Sequence, residues 1–133
     1  MAIIGESTFY KCYNLETISI PSSVSNIGNK AFYECSNLEN ITFKEKSNLT
    51  IIGESSFYGC YNLETISIPS SVSEIGNKAF YECSNLENIT FEEESNLTII
   101  GNYSFSNCNN LKTIELSPQL KEILSHYLKD VIN

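Results

Sequence analysis

Five cysteines recur on a fixed beat. Cys12, Cys35, Cys60, Cys83 and Cys108 are separated by 23, 25, 23 and 25 residues, a regularity that would suit a metal-ligand array, a redox relay or a packing unit. Geometry separates the three. Zinc needs thiolates converging tetrahedrally at about 2.3 Å, and a disulfide wants Cβ atoms about 3.8 Å apart. Equivalent residues of stacked repeats stand instead in a line, at the inter-strand spacing of about 4.7–4.9 Å. Such a line neither converges on a metal nor closes a bridge, and an odd number of thiols leaves one over. The cysteines therefore read as small buried hydrophobes, and no metal or cofactor is expected.

Other reactive side chains are sparse. His126 is the single histidine; with Asp130 at i, i+4 it could form an oriented pair on a terminal helix, but no nucleophile or oxyanion site accompanies it. A solvated helix residue is the simpler reading, and no enzyme is expected. The glycines are isolated turn residues ahead of helical stretches rather than a phosphate-cradling loop, and are read as taking backbone conformations that other residues resist. Five N-x-S/T sequons begin at Asn40, Asn48, Asn88, Asn96 and Asn102. Sugars on Asn40 and Asn88 would obstruct the face those residues belong to.

Charge narrows the partners. Asp+Glu number 16 against Lys+Arg 8, with no arginine, for a formal net charge of −8. Nucleic acid and anionic membrane surfaces are disfavoured, since both need clustered cations. No apolar run reaches the about 18 residues of a membrane span. The opening residues, MAIIGEST, have neither the basic region nor the apolar core of a secretory signal. Ile3 and Ile4 read as the middle of a repeat, so the chain is expected to be a piece of something longer.

What positions these side chains is repetition. Residues 3–48 align without gaps on 51–96, differing only at Thr8/Ser56, Lys11/Gly59, Asn26/Glu74, Lys44/Glu92 and Lys46/Glu94. Three of these exchanges put an acid in the second copy, so the interior is copied while the solvent side drifts negative. Each copy holds two shorter units. Gly5, Gly28, Gly53, Gly76 and Gly101 keep the cysteine beat, as do Phe9, Phe32, Phe57, Phe80 and Phe105, the asparagines Asn14, Asn37, Asn62, Asn85 and Asn110, and the leucines Leu15, Leu38, Leu63, Leu86 and Leu111.

One unit reads V-x-x-I-G-x-x-A-F-x-x-C-x-N-L-x-x-I-x-F, giving five coils around 3–23, 24–48, 49–71, 72–96 and 97–119. The connector 20–24 is two residues shorter than 43–49, which places a bulge on every second coil. Leu38-x-x-Ile41-x-Phe43 has the period-2 inward pair of a strand, predicting strands around 16–20, 39–43, 64–68, 87–91 and 112–116. Residues 29–35 put Ala31, Phe32 and Cys35 at helix-like spacing, predicting one or two helical turns. The residue before each phenylalanine is small (Thr8, Ala31, Ser56, Ala79, Ser104), which predicts a tight backbone contact. A unit of about 24 residues cannot bury its apolar side alone, and stacking supplies the missing neighbour. The expected fold is an α/β solenoid, with a parallel sheet on a concave face and short helices or turns on the convex one.

With these residues in place, the unit resembles the BspA-like leucine-rich repeat of bacterial and protozoan surface proteins. The matching elements are Ile68-Pro69 at the strand end, Ile75-Gly76 at the turn, Ala79-Phe80, and Cys83-x-x-Leu86-x-x-Ile89. The resemblance covers residue 3 to about 123, implying a leucine-rich repeat domain over 1–123. It further implies a protein at the cell surface or secreted, acting in adhesion by binding host proteins or neighbouring cells. The sequence departs from the general leucine-rich pattern in having Ser23 and Lys46 where Asn or Cys usually follows the strand. The polar ladder between coils is therefore expected at Asn37 and its equivalents.

The period breaks at the end of the chain. Leu124 takes the glycine's place, and Leu120, Ile123, Leu124, Tyr127, Leu128 and Val131 follow helical spacing behind Ser117 as N-cap and Pro118 at the first position. A capping helix over 118–132 follows. Coil 1 has no comparable device and would present Phe9, Leu15, Ile18 and Ile20 to water, predicting self-association through that end.

The candidate binding face is the outward side of the strands: Thr17, Ser19, Glu39, Asn40, Thr42, Thr65, Ser67, Glu87, Asn88, Thr90, Thr113 and Glu115, with Glu16 and Glu64 alongside. It serves either as a shallow polar platform for a protein or glycan, or simply as the solvated side of a sheet. Tyr10, Tyr33, Tyr58 and Tyr81, with Tyr13 and Tyr61, are placed on the convex edge. Two functions compete: a surface adhesion module, and an intracellular scaffold for protein–protein interaction, whose reducing compartment would suit five free cysteines.

Overall fold

The computed structural model describes residues 2–118 and 120–122. Ten short strands follow one another: β1 (Ala2–Ile4), β2 (Thr17–Ile20), β3 (Val24–Ile27), β4 (Asn40–Phe43), β5 (Ile51–Ile52), β6 (Thr65–Ile68), β7 (Glu74–Ile75), β8 (Asn88–Phe91), β9 (Ile99–Ile100) and β10 (Thr113–Glu115). Each coil contributes two. The even-numbered strands lie where the Leu-x-x-Ile-x-Phe pattern places them, and along β6 exposed and buried residues alternate as the pleat requires. All pairing is parallel, and along the even strands it is in register, Ile18 opposite Ile41 and Ile66 opposite Ile89, so like residues stack there from coil to coil.

The odd-numbered strands form a second parallel sheet, β1-β3-β5-β7-β9, on another side of the coil. Only one sheet is expected from the sequence, because β5, β7 and β9 have two residues each and β3 is buried at three of its four positions, so no alternation shows. The even strands are not one ladder either. They divide into the pair β2-β4 and the triple β6-β8-β10, and β4 and β6 lie side by side without a shared ladder.

The remaining side corrects the helix expectation. Residues 29–35 and their equivalents are turns. Along coil 1, Thr8, Tyr10 and Cys12 donate back three residues to the carbonyls of Gly5, Ser7 and Phe9. In between, Ser7, Phe9 and Lys11 donate across to Asn29, Ala31 and Tyr33 of the next coil. A helix would direct these donors onto its own segment; here alternate ones sew neighbouring coils together. The alternation places left-handed backbone at two positions per coil, Ser7 and Lys11, Lys30 and Glu34, Ser55 and Gly59, Lys78 and Glu82, Tyr103 and Asn107. Each non-glycine residue so placed costs on the order of 1 kcal/mol, offset by the inter-coil bond the geometry permits. The Ala31, Phe32, Cys35 spacing misled because a turn wrapping a narrow core aims those same side chains inward.

The interior is built of columns. Phe9, Phe32, Phe57, Phe80 and Phe105 stack with ring centroids 5.1–5.4 Å apart and planes within 12° of parallel. The Ile, Leu, Val and Cys columns run beside them, almost wholly buried in the inner coils. The glycine column has a different cause from the one expected. A Cβ on Gly28 would lie 2.7 Å from Glu6 N, on Gly53 2.7 Å from Ile27 O, and on Gly76 2.6 Å from Glu54 N. These glycines are required by the approach of the preceding coil's backbone, not by their dihedrals; among the described residues only Gly59 is a glycine with positive φ.

At the C-terminal end, residues 118 and 120–122 are helical. Leu120 N–H donates to Ser117 Oγ at 3.2 Å, the capping bond expected of Ser117, and Leu120 is buried. The rest of the expected capping helix, to 132, lies outside the described residues, as do His126 and Asp130.

Candidate functional site

The outward positions of the even strands form two columns. Thr17 is in register with Asn40, Thr65 with Asn88 and Asn88 with Thr113; Ser19 with Thr42, Ser67 with Thr90 and Thr90 with Glu115. Thr17, Ser19, Asn40, Thr42, Thr65, Ser67 and Glu115 are exposed, and Asn88 and Thr90 half-buried. Apart from the Glu115 carboxylate, these exposed and half-buried residues are short hydroxyl and amide side chains, each carrying a donor and an acceptor.

A carboxylate column borders them. Glu16, Glu39 and Glu64 are exposed and Glu87 half-buried. The column ends where Lys112 takes the equivalent place, its Nζ 3.4 Å from Glu87 Oε1. Glu39 N–H donates to Glu16 O at 2.7 Å and Glu87 N–H to Glu64 O at 2.8 Å, which holds these pairs of acids on adjacent coils. The asparagine stitch expected from the sequence is present: Asn37 Nδ2 donates to Tyr13 O at 2.6 Å, and Asn62 and Asn110 reach the amide oxygens of Asn37 and Asn85 at 3.4 Å.

Where β4 and β6 share no ladder, the face opens into a depression of about 290 Å³ lined by Glu39, Asn40, Asn62, Glu64 and Asn85. Two of the expected site residues, Glu39 and Asn40, meet there. Asn62 and Asn85 belong to the stitching column, and the repeat does not distinguish the 25-residue β4–β6 step from the β8–β10 step of the same length, which does form a ladder. Two carboxylates and three amides offer both acceptors and donors. Among the described residues, no three His, Cys, Asp or Glu side chains are grouped as metal ligands.

The cysteines prove to be more than apolar filling. The Sγ atoms of Cys35, Cys60, Cys83 and Cys108 donate to the carbonyls of Phe9, Phe32, Phe57 and Phe80 of the preceding coil at 3.0–3.2 Å. Burial pushes the Cys35 thiol up to about 11 and the Cys108 thiol up to about 12, and raises Cys60 and Cys83 as well. A buried thiol held in its protonated form is a poor nucleophile.

On the turn side, Tyr10, Tyr33, Tyr58 and Tyr81 form a second aromatic stack, with centroids 4.7–5.0 Å apart. Lys11, Lys30 and Lys78 lie 5.5–5.8 Å from the rings of Tyr10, Tyr33 and Tyr81. Tyr13 and Tyr61 flank the stack, 50% and 39% exposed, enough to offer contact area.

Stacked parallel ladders with this interior have known counterparts. Among solved structures the chain is similar to a leucine-rich repeat protein from Bacteroides ovatus, at 30% identity and TM-score 0.71, covering 100% of this chain and 39% of that one. It is similar to the pneumococcal vaccine antigen PcpA at 34% identity and TM-score 0.66, covering 69% and 22%. It is similar also to a leucine-rich repeat protein of T. pallidum at 25% identity and TM-score 0.53, covering 95% and 76%. The chain thus spans well under half the length of the first two. No protein of curated function matches it. The family match runs over residues 2–133, in six copies, and takes in the glycine, phenylalanine and cysteine columns alike: the chain belongs to the BspA-type leucine-rich repeat region family.

Proposed function

We propose that the chain is a non-catalytic protein-interaction module of a surface adhesion protein, engaging host proteins or neighbouring cells through the even-strand face. One observation carries this reading: the polar columns run along β2-β4 and again along β6-β8-β10, bordered by an acidic column and opened between the two ladders by the Glu39–Glu64 depression. Solenoids bind through such extended surfaces. The likeness to a vaccine antigen supports display at the cell surface. No helix among the described residues is long and apolar enough to cross a membrane.

The test is binding to a panel of immobilised host matrix proteins. A matrix protein is expected to bind, and the Asn40→Lys/Thr42→Lys variant to bind about tenfold more weakly. Binding indifferent to that variant, or no binding across the panel, overturns the reading. An intracellular scaffold is the alternative, favoured by five free thiols. Surface biotinylation of intact cells separates the two, labelling the full-length protein only if it is displayed.

A further inference from the structure

The outward column of the odd-numbered strands alternates from coil to coil. Register sets Ile3 beside Asn26, Asn26 beside Ile51, Ile51 beside Glu74 and Glu74 beside Ile99. Ile3 and Ile99 are 63% and 49% exposed, and Ile51 is half-buried. One exposed isoleucine is ordinary. One on every second coil, about 10 Å apart at two strand spacings, forms a stripe with gaps.

A charged column runs beside the stripe with the same alternation. Glu6 and Glu54 follow the glycines of coils 1 and 3, and Lys30 and Lys78 stand one residue further on in coils 2 and 4. All four are exposed, and among the described residues none of them is in an ion pair. The two lysines rest 5.8 Å from the rings of Tyr33 and Tyr81. Glu6, Lys30 and Glu54 share one depression of about 380 Å³ with Asn29. Asn29 and Glu54 also line a second, of about 280 Å³, together with Ile51, Glu74 and Ile99. Stripe and charged column therefore belong to one surface. Its three acids and two lysines nearly balance, while the whole chain carries −8, so the acid excess that opposes self-association lies elsewhere.

Alternation in both columns makes this surface complementary to itself in one register. A second copy laid on it antiparallel, about a two-fold axis between coils 2 and 3, opposes coil 1 to coil 4 and coil 2 to coil 3. Glu6 then faces Lys78 of the other copy, and Lys30 faces Glu54. Ile3 and Ile51 face Glu74 and Asn26 rather than each other, so isoleucines from the two copies interleave. Moving the axis onto coil 3 instead sets Lys30 against Lys78, Glu54 against Glu54 and isoleucine against isoleucine.

We propose that this face binds a second copy of the chain, in the antiparallel register that pairs Glu6 with Lys78 and Lys30 with Glu54. The even strands form separate ladders on another side of the coil, so a dimer displays two even-strand faces.

The experiment is sedimentation equilibrium of the 133-residue chain, and the parent is expected to dimerise. Lys30→Glu/Lys78→Glu and Glu6→Lys/Glu54→Lys each place like charges across the interface. Each alone should weaken dimerisation about tenfold or more, and an equimolar mixture of the two should restore it. Ile51→Asn, which installs the residue of coil 2, should weaken it about tenfold. Ile99→Asn, on a coil that faces nothing in this register, should leave it unchanged. A monomeric parent, charge variants that dimerise like the parent, a mixture that stays monomeric, or equal effects of Ile51→Asn and Ile99→Asn overturn the proposal. Association through the open end of coil 1 is told apart by being indifferent to Glu54→Lys and Lys78→Glu and by gaining nothing from the mixture. Circular dichroism melts establish that each variant is folded, and the mixture decides the matter if Ile51→Asn unfolds.

Discussion

Replacing Gly76 by alanine adds one carbon that has nowhere to go. Its nearest neighbours would be Glu54 N at 2.6 Å, Gly53 C at 2.8 Å and Glu54 Cα at 2.9 Å, all main chain, so no rotamer change relieves the contact. Restoring ordinary separation needs coils 3 and 4 to part locally by about 0.5–0.8 Å. That stretches the Gly76 N–H to Ile52 O bond, now 2.8 Å, and the Ser55 N–H to Asn77 O bond, now 2.9 Å. It also loosens the Phe57–Phe80 stack at 5.2 Å. Two weakened hydrogen bonds at about 1 kcal/mol each and a weakened ring contact at about 1 kcal/mol sum to about 3 kcal/mol, the upper part of the range for overpacking. For a chain of this size that is about 10 °C in Tm. Gly5→Ala is the control within the same column, because its nearest neighbour, Thr8 Oγ1, is at 3.4 Å, and it should change stability by less than about 0.5 kcal/mol. Urea unfolding followed by circular dichroism measures both. A Gly76→Ala protein within about 0.5 kcal/mol of the parent, or a Gly5→Ala protein equally destabilised, would refute the close-approach argument.

Three further outcomes are expected. The buried thiols keep their protons to higher pH when folded, so stability is at its full value below the unfolded thiol pKa, about 8.5. It then falls as pH rises towards about 11 for Cys35 and about 12 for Cys108, by about 1.4 kcal/mol per pH unit for each thiol; urea unfolding under reductant at pH 8, 9 and 10 giving a flat profile would contradict this. Phe57→Ala, in the middle of the stack and fully buried, should cost about 3–5 kcal/mol, and Phe9→Ala, at the half-buried end, less than half as much; equal losses would show that stacking from both sides is immaterial. The 133-residue chain should self-associate through coil 1, whose Ile3 is 63% exposed on the edge strand β1. Light scattering should show mass rising with concentration and falling back in Ile3→Lys, and a strict monomer at all concentrations would count against it.

The parts of the fold legible in the sequence are those that repeat along one dimension. Leu38, Ile41 and Phe43 point inward and Asn40 and Thr42 outward because a strand alternates, and equivalent residues meet because the period stacks them in register. The candidate face was legible for the same reason. Its opening at Glu39, Asn40, Asn62, Glu64 and Asn85 was not, since it lies at the β4–β6 step, which forms no ladder although β8 and β10 pair at the same 25-residue spacing.

By itself, then, the amino-acid sequence determined the coil period, the even strands and the inward columns, because each follows from local spacing multiplied by repetition. The tertiary structure decided what local spacing leaves open: that residues 29–35 form turns, since Lys30 and Phe32 donate to Glu54 and Ser56 on the next coil. It decided that Gly28, Gly53 and Gly76 are small because a neighbouring backbone passes within 3 Å of where a Cβ would stand. It decided too that the cysteine thiols serve as hydrogen-bond donors between coils. In each case the controlling partner is a residue more than 20 positions away, and its distance is set only when the coils stack.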